Sequence, residues 1–149
     1  LVSQGFDPAR YLGVDFSQVA VAHAKARVPG ATFKQAELPA PLSTLLAEFK
    51  PTVVTALEVI EHMAEDIEKA ILSTGYRTLI SVPMMDDPSH MRFFPTQQSA
   101  VDYYGRPVYK IGPSHWGFEI QGAAKMSQTQ AAQPWGNVKI MMLKRPGDR

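Results

Sequence analysis

The chain contains no cysteine. That excludes a disulfide framework, a thiolate metal site and a cysteine nucleophile, and it fits a reducing compartment, so the expected location is cytoplasmic. No run approaches the roughly 18 consecutive apolar residues of a membrane span. The opening Leu1-Val2-Ser3-Gln4 has neither the basic start nor the apolar core of a signal peptide, and no membrane partner is expected. An excess of one charge is also missing, with 15 Lys+Arg against 14 Asp+Glu. A dedicated duplex-DNA binder presents a strongly basic face, so duplex DNA is not an expected partner. No internal repeat and no linker is visible. What remains is 149 residues, 45% hydrophobic and 19% charged. That is enough for one ordinary domain with its own core, residues 1–149.

Short apolar runs alternate with helix patterns along the first two thirds. Tyr11-Leu12-Gly13-Val14-Asp15 reads as a strand ending in an acid. Ser17 suits the N-cap of an Ala-rich helix over Gln18 to Arg27, which Pro29-Gly30 ends. A second strand is expected over 31–35, a short amphipathic helix over 42–49 and a third strand over 52–57. A helix follows, carrying Ile60, Met63, Ile67, Ala70 and Ile71 near a 3.6-residue period. Thr78 to Val82 reads as a fourth strand stopped by Pro83, and Thr96 to Tyr104 as a helix ended by Gly105. Beyond it, 115–121 and 138–144 are strand candidates, and the Gln-rich 122–136 reads as a loop. This order predicts an α/β fold: a mostly parallel sheet with helices on both faces. The last two strands are expected to close it as a C-terminal antiparallel hairpin.

The stretch Thr52 to Met63 organises the rest. Val53-Val54-Thr55-Ala56-Leu57 is a buried-strand run. It turns polar at Glu58, and a continuing helix would put Glu58, Glu61 and His62 on one face, at i, i+3 and i+4. Ionisable groups at the carboxyl end of a strand mark the ligand edge of an open α/β sheet.

Four stretches in order resemble the class I S-adenosylmethionine-dependent methyltransferases. Tyr11 to Ser17 resembles that family's second strand, whose terminal acid holds the cofactor ribose. Phe33 to Leu38 resembles the third, with Glu37-Leu38 matching an acid-Leu pair near the adenine. Ala56 to Met63 resembles the fourth strand and the next helix start. Leu79 to Pro83, then Ser89 to Phe94, resembles the fifth strand and its exit loop. The likeness implies a Rossmann-like sheet and transfer of a methyl group to a hydroxyl on a small molecule or an RNA 3′ end. It implies cofactor contacts from Asp15, Phe16, Ser17, Glu37, Leu38, Leu57 and Glu58. The family's Gly-x-Gly loop after its first strand is absent, and residues 1–4 resemble the end of the helix that follows that loop. The resemblance therefore places the first strand before Leu1. The sheet would then keep an unpaired central edge that invites self-association, and the chain as given would bind cofactor weakly. The alternative is a non-catalytic remnant that kept the sheet and lost the loop.

Asp15 has two readings, a ribose acceptor or a turn acid capping the next helix. Glu37 likewise reads as an adenosine contact or a solvated loop acid. Two carboxylates and two imidazoles, Glu58, Glu61, His62 and His90, suit a divalent Mg, Mn, Fe or Zn ion. A Glu-x-x-Glu-His with a later His resembles the metal set of methyltransferases acting on the 2′-hydroxyl of small-RNA 3′ ends. A related Glu-x-x-Glu-His also occurs in the O-methyltransferases of ubiquinone biosynthesis and in many relatives with no assigned metal. The other reading leaves Glu58 near the cofactor and Glu61 and His62 as first-turn helix residues. Without metal, His62 or His90 is the candidate catalytic base. Arg92 reads as an anchor for an acidic group or as a partner of Asp86, Asp87 or the helix edge. Tyr103, Tyr104, Tyr109, Trp116 and Phe118 read as pocket lining or core. His23 and His115 carry no partner pattern.

Overall fold

The computed structural model describes residues 7–121 and 140–143. The helix end expected at 1–4 and the loop expected at 122–136 lie outside them. After a 3₁₀ turn at Pro8–Arg10, strand β1 (Tyr11–Asp15) leads to helix α1 (Gln18–Arg27) and strand β2 (Thr32–Gln35). Helix α2 (Leu42–Phe49), strand β3 (Val53–Leu57), a 3₁₀ turn at Ile60–His62 and helix α3 (Glu65–Leu72) come next. Strand β4 (Arg77–Pro83), helix α4 (Gln97–Tyr104) and strands β5 (Tyr109–Ile111), β6 (His115–Ile120) and β7 (Ile140–Leu143) complete the order.

The helix ends follow from local chemistry. Ser17 Oγ accepts the Ala20 amide at 3.3 Å and caps α1. Thr96 and Ser99 form a reciprocal capping box at the start of α4. Gly105, at φ 63°, closes α4 in the left-handed region that favours glycine.

The seven strands form one sheet in the order β2-β1-β7-β3-β4-β6-β5. β2, β1, β7, β3 and β4 run parallel; β6 is antiparallel to both β4 and β5. The fold is therefore mixed α/β with a mostly parallel sheet core. Alternate residues Leu12, Val14, Val54, Ala56, Ile80 and Val82 share one face. There they join one core with Leu42, Leu45 and Leu46 of α2, Ile71 of α3 and Ala100 and Tyr104 of α4. On the opposite face, Ala20, Val21 and Ala24 of α1 lie over Tyr11, Gly13 and Phe33. The Phe33 ring crosses Gly13 so closely that a Cβ there would sit 2.5 Å from it.

Burial between α1 and the sheet pushes the Tyr11 phenol up to about 12 from its usual 10.0. The folded state thus holds that proton more tightly than the unfolded chain. Its contribution is complete below pH 10 and is lost as the pH rises from about 10 to about 12. Alkaline denaturation of Tyr11→Phe should show a shallower fall across that window than the parent protein.

Three expectations need correction. The last two strands do not form a closing hairpin: β6 pairs with β4 and β5, while β7 inserts parallel between β1 and β3. The central position expected to be empty for want of a first strand is thereby occupied, so no unpaired central edge is left to invite association. The helix after β3 does not run from Glu58. Glu58 has φ 57°, Ile60–His62 is a single 3₁₀ turn, Met63 is extended, and α3 starts only at Glu65. The short edge strand β5 had no sequence signal.

Candidate functional site

All five parallel strands deliver their carboxyl ends to one edge of the sheet. From β1 the chain moves one way along the sheet to β2, and from β3 the other way to β4. Ligands of open α/β sheets sit at such a reversal. Three groups of the predicted residues gather along this edge.

The first lies at the end of β1. Asp15 is buried; its Oδ1 accepts the Ser17 amide at 2.8 Å, while its buried Oδ2 has no hydrogen-bond partner among the described residues. A buried carboxylate oxygen held without a donor costs free energy, which a ligand hydroxyl would offset. Beside it, Val14, Phe16, Ala36, Glu37, Leu38, Met63 and Ile67 line a mainly apolar crevice of about 230 Å³. Phe16, Glu37 and Leu38 thus share this crevice, while Asp15 lines the small cavity under α1. Ser17 caps α1 and orients Asp15 through its amide. An apolar crevice and a nearby carboxylate are the two features that the base and ribose of S-adenosylmethionine would need. Among the described residues no Gly-x-Gly turn is present to cradle the methionine end.

The second group lies on the 3₁₀ turn after β3. Glu61, His62 and His90 offer ligand atoms that all lie within 4.8 Å of one another. Glu61 is wholly buried, and its Oε1 is 3.4 Å from His62 Nε2. The two rings meet edge to face with centroids 4.8 Å apart. The loop after β4 carries His90 back over the turn, where the Met91 amide donates to the Glu61 carbonyl at 2.7 Å. Asp87 shapes that loop by accepting the Ser89 amide and hydroxyl at 2.8 and 2.6 Å. His62 Nδ1 contacts the Ser89 carbonyl at 2.9 Å, and His90 Nδ1 the Met85 carbonyl at 3.3 Å. A carbonyl only accepts, so each ring donates from Nδ1, and His62 thereby turns Nε2 toward Glu61. Histidine metal ligands are commonly fixed this way, by a bond from the other ring nitrogen. Around a divalent ion with bonds of about 2.0–2.3 Å, neighbouring ligand atoms stand roughly 3–4 Å apart, so the three side chains would draw together to hold one.

Glu58 does not join that cluster. Its left-handed backbone turns it toward β4 and β6 instead, where it forms the third group. The Glu58 amide donates to Ser81 Oγ at 3.0 Å, and Ser81 Oγ donates back to Glu58 Oε1 at 2.7 Å. His115 Nε2 stands 2.6 Å from Glu58 Oε2. The four-residue metal set read from the sequence thus divides. The expected shared helix face is absent, because a positive-φ residue and a 3₁₀ turn replace the α-helix. Leu57, also expected at the cofactor, is exposed and lines the cavity beside Glu58.

Arg92 is not available to a substrate. Its guanidinium donates to the carbonyls of Ile60 and Met63 at 2.6 and 3.1 Å and pairs with buried Glu68 at 3.0 Å. Glu68 also accepts the hydroxyls of Tyr103 and Tyr104 at 3.1 and 2.9 Å. Burial, then the Glu68 charge, raises both phenols above their usual range. The cluster ties α3 and α4 to the turn that presents Glu61 and His62. Trp116 donates to the Phe94 carbonyl at 2.8 Å, and Phe118 is core. His23 is exposed on α1.

Sequence reasoning missed His115 and Ser81. Neither sits in a local pattern; the antiparallel register of β6 on β4, with Gly117 opposite Ser81, brings them to Glu58. No protein-family model matches the sequence, and neither does any curated protein or solved structure.

Proposed function

We propose that this chain is an S-adenosylmethionine-dependent methyltransferase domain of Rossmann-like fold, acting on a hydroxyl acceptor with help from a divalent ion. The single observation that carries the reading is the buried Asp15 carboxylate at the end of β1. It has one oxygen tied to Ser17 and the other without a donor among the described residues, and the next residue, Phe16, lines the crevice with Glu37 and Leu38. When bound, the sulfonium supplies a methyl group already activated for transfer. The protein's part is positioning. Asp15 Oδ2 accepts the ribose hydroxyls, and Phe16, Leu38, Met63 and Ile67 enclose the base. Asp15 on β1 and Glu58 after β3 are separated by the width of β7, so two strand spacings, about 10 Å, lie between them. That leaves room for a ribose and a short chain between the anchor and the neighbouring polar groups. Glu61, His62 and His90 would hold the ion, which supplies Lewis-acid polarisation of an acceptor oxygen.

The test is an NMR titration with S-adenosylhomocysteine, which also reads millimolar affinities. The ligand should shift amides at Asp15 to Ser17 and Glu37-Leu38. Asp15→Ala should weaken binding by about 1.5–3 kcal/mol, the scale of a hydrogen bond to a charged group. Unchanged affinity in Asp15→Ala would remove the nucleoside site and the reading built on it.

A further inference from the structure

The half of the sheet opposite helices α2 to α4 carries a cavity of about 540 Å³ over β3, β4, β5 and β6. Its walls are mainly apolar: Leu57, Leu79, Tyr109 and Ile111. Leu57, Tyr109 and Ile111 are among the large apolar side chains left exposed. The Ile111 side chain packs directly on the Gly117 backbone, so a Cβ there would collide with it and displace it. At the ligand edge, Glu58, Ser81 and His115 close one end.

This polar end is built with care. Glu58 holds a left-handed backbone, φ 57°, that a non-glycine residue adopts at a cost. Ser81 fixes it from both sides, accepting its amide and donating to its carboxylate. His115 Nε2 donates to Glu58 Oε2, and its Nδ1 meets Ser114 Oγ at 3.1 Å. Each carboxylate oxygen has two acceptor sites. Ser81 takes one on Oε1 and His115 one on Oε2, which leaves Glu58 an acceptor for a further donor. A hydroxyl satisfies that acceptor; an anion would be repelled by the carboxylate. At the far end Glu119 is engaged by Arg77 in two bonds of 2.7 and 3.1 Å and offers no second anchor.

We infer that this cavity is a binding site for a small, uncharged, mainly apolar molecule bearing a hydroxyl, a phenol in the simplest case. Its apolar body packs against Leu57, Leu79, Tyr109 and Ile111, and its hydroxyl donates to Glu58 beside His115. Glu58 stands about two strand spacings from Asp15, the side from which a methyl donor would face it. That this occupant is the methyl acceptor rests on the reading above; that the cavity binds it does not.

The experiment is a titration of the whole chain with 4-ethylphenol, followed by the methyl resonances of Leu57, Leu79 and Ile111 and the ring resonances of His115. No S-adenosyl ligand is present, so the result is independent of the donor site. 4-Ethylphenol should shift this set, and its methyl ether, 4-ethylanisole, should bind about tenfold more weakly for want of the donor hydrogen. Glu58→Gln, which keeps the shape and removes the charge, should erase that preference. Gly117→Val should abolish binding of both compounds. If Gly117→Val does not fold, the Glu58→Gln comparison decides alone. Shifts confined to other residues, no binding of either compound, or equal affinity for phenol and ether in the parent protein would each overturn the inference.

Discussion

Replacing His90 with alanine should abolish tight divalent-metal binding while leaving affinity for S-adenosylhomocysteine almost unchanged. The expectation follows from where the donors sit. Glu61 and His62 come from one 3₁₀ turn, and His90 is folded back over them by the loop after β4. Both rings are oriented by contacts from Nδ1 to the carbonyls of Ser89 and Met85. Even the partners that orient metal-bound histidines are commonly worth 10–100-fold in affinity, so losing a ligand should cost more than about 100-fold. Asp15 and Glu37 lie on the exits of other strands, so the nucleoside site should not feel the change. Titration calorimetry with Mn²⁺ or Zn²⁺ reads the effect. Glu58→Gln is the informative control, because the structure turns Glu58 away from the cluster and toward Ser81 and His115. If Glu58→Gln lost metal as completely as His90→Ala, the four-ligand set read from the sequence would be right and the division described above wrong.

The second large effect is on stability. Glu68→Ala removes a carboxylate that is 2% exposed and accepts from Arg92, Tyr103 and Tyr104. It leaves a mostly buried guanidinium without its counter-charge and two phenols without their acceptor. Breaking a buried pair from one side typically costs about 3–5 kcal/mol. Against a usual domain stability of about 5–15 kcal/mol, that is a large share. Urea denaturation should show the midpoint falling accordingly. The paired variant Glu68→Leu with Arg92→Met should recover much of the loss, since removing both charges leaves neither stranded. Arg92 also donates to the carbonyls of Ile60 and Met63. The paired variant should therefore regain stability yet still bind metal more weakly than the parent, because the turn that presents Glu61 and His62 has lost its clamp. Full recovery of both would make Arg92 a packing residue only.

The strands and most helices were legible because their signals are local. Tyr11 to Asp15, the apolar run at 53–57, the Ser17 cap and the Gly105 stop each declare themselves within a few residues. What was not legible depends on distant partners. Ile140-Met141-Met142-Leu143 is apolar at every position, the pattern of a strand buried on both faces rather than of a half-exposed closing hairpin. That uniformity was the available signal for a central parallel strand, although the neighbours on either side come from the first half of the chain. The helix after β3 was misread because Ile60, Met63 and Ile67 keep a helical period across a break. Burial demanded apolar residues there whether the backbone was 3₁₀, extended or α. The same break decided the site: a helix would have aligned Glu58 with Glu61 and His62, and the positive φ at Glu58 separated them. His115 had no local signature at all, since only the register of β6 on β4 gives it a partner.

A crystal structure of the chain soaked with S-adenosylhomocysteine tests the central claim most directly. The account predicts ribose hydroxyls within hydrogen-bond distance of Asp15 Oδ2, with the adenine in the crevice of Phe16, Glu37 and Leu38. A ligand seated elsewhere on the sheet edge, or Asp15 Oδ2 bonded to the protein's own donor with the crevice closed, would contradict it.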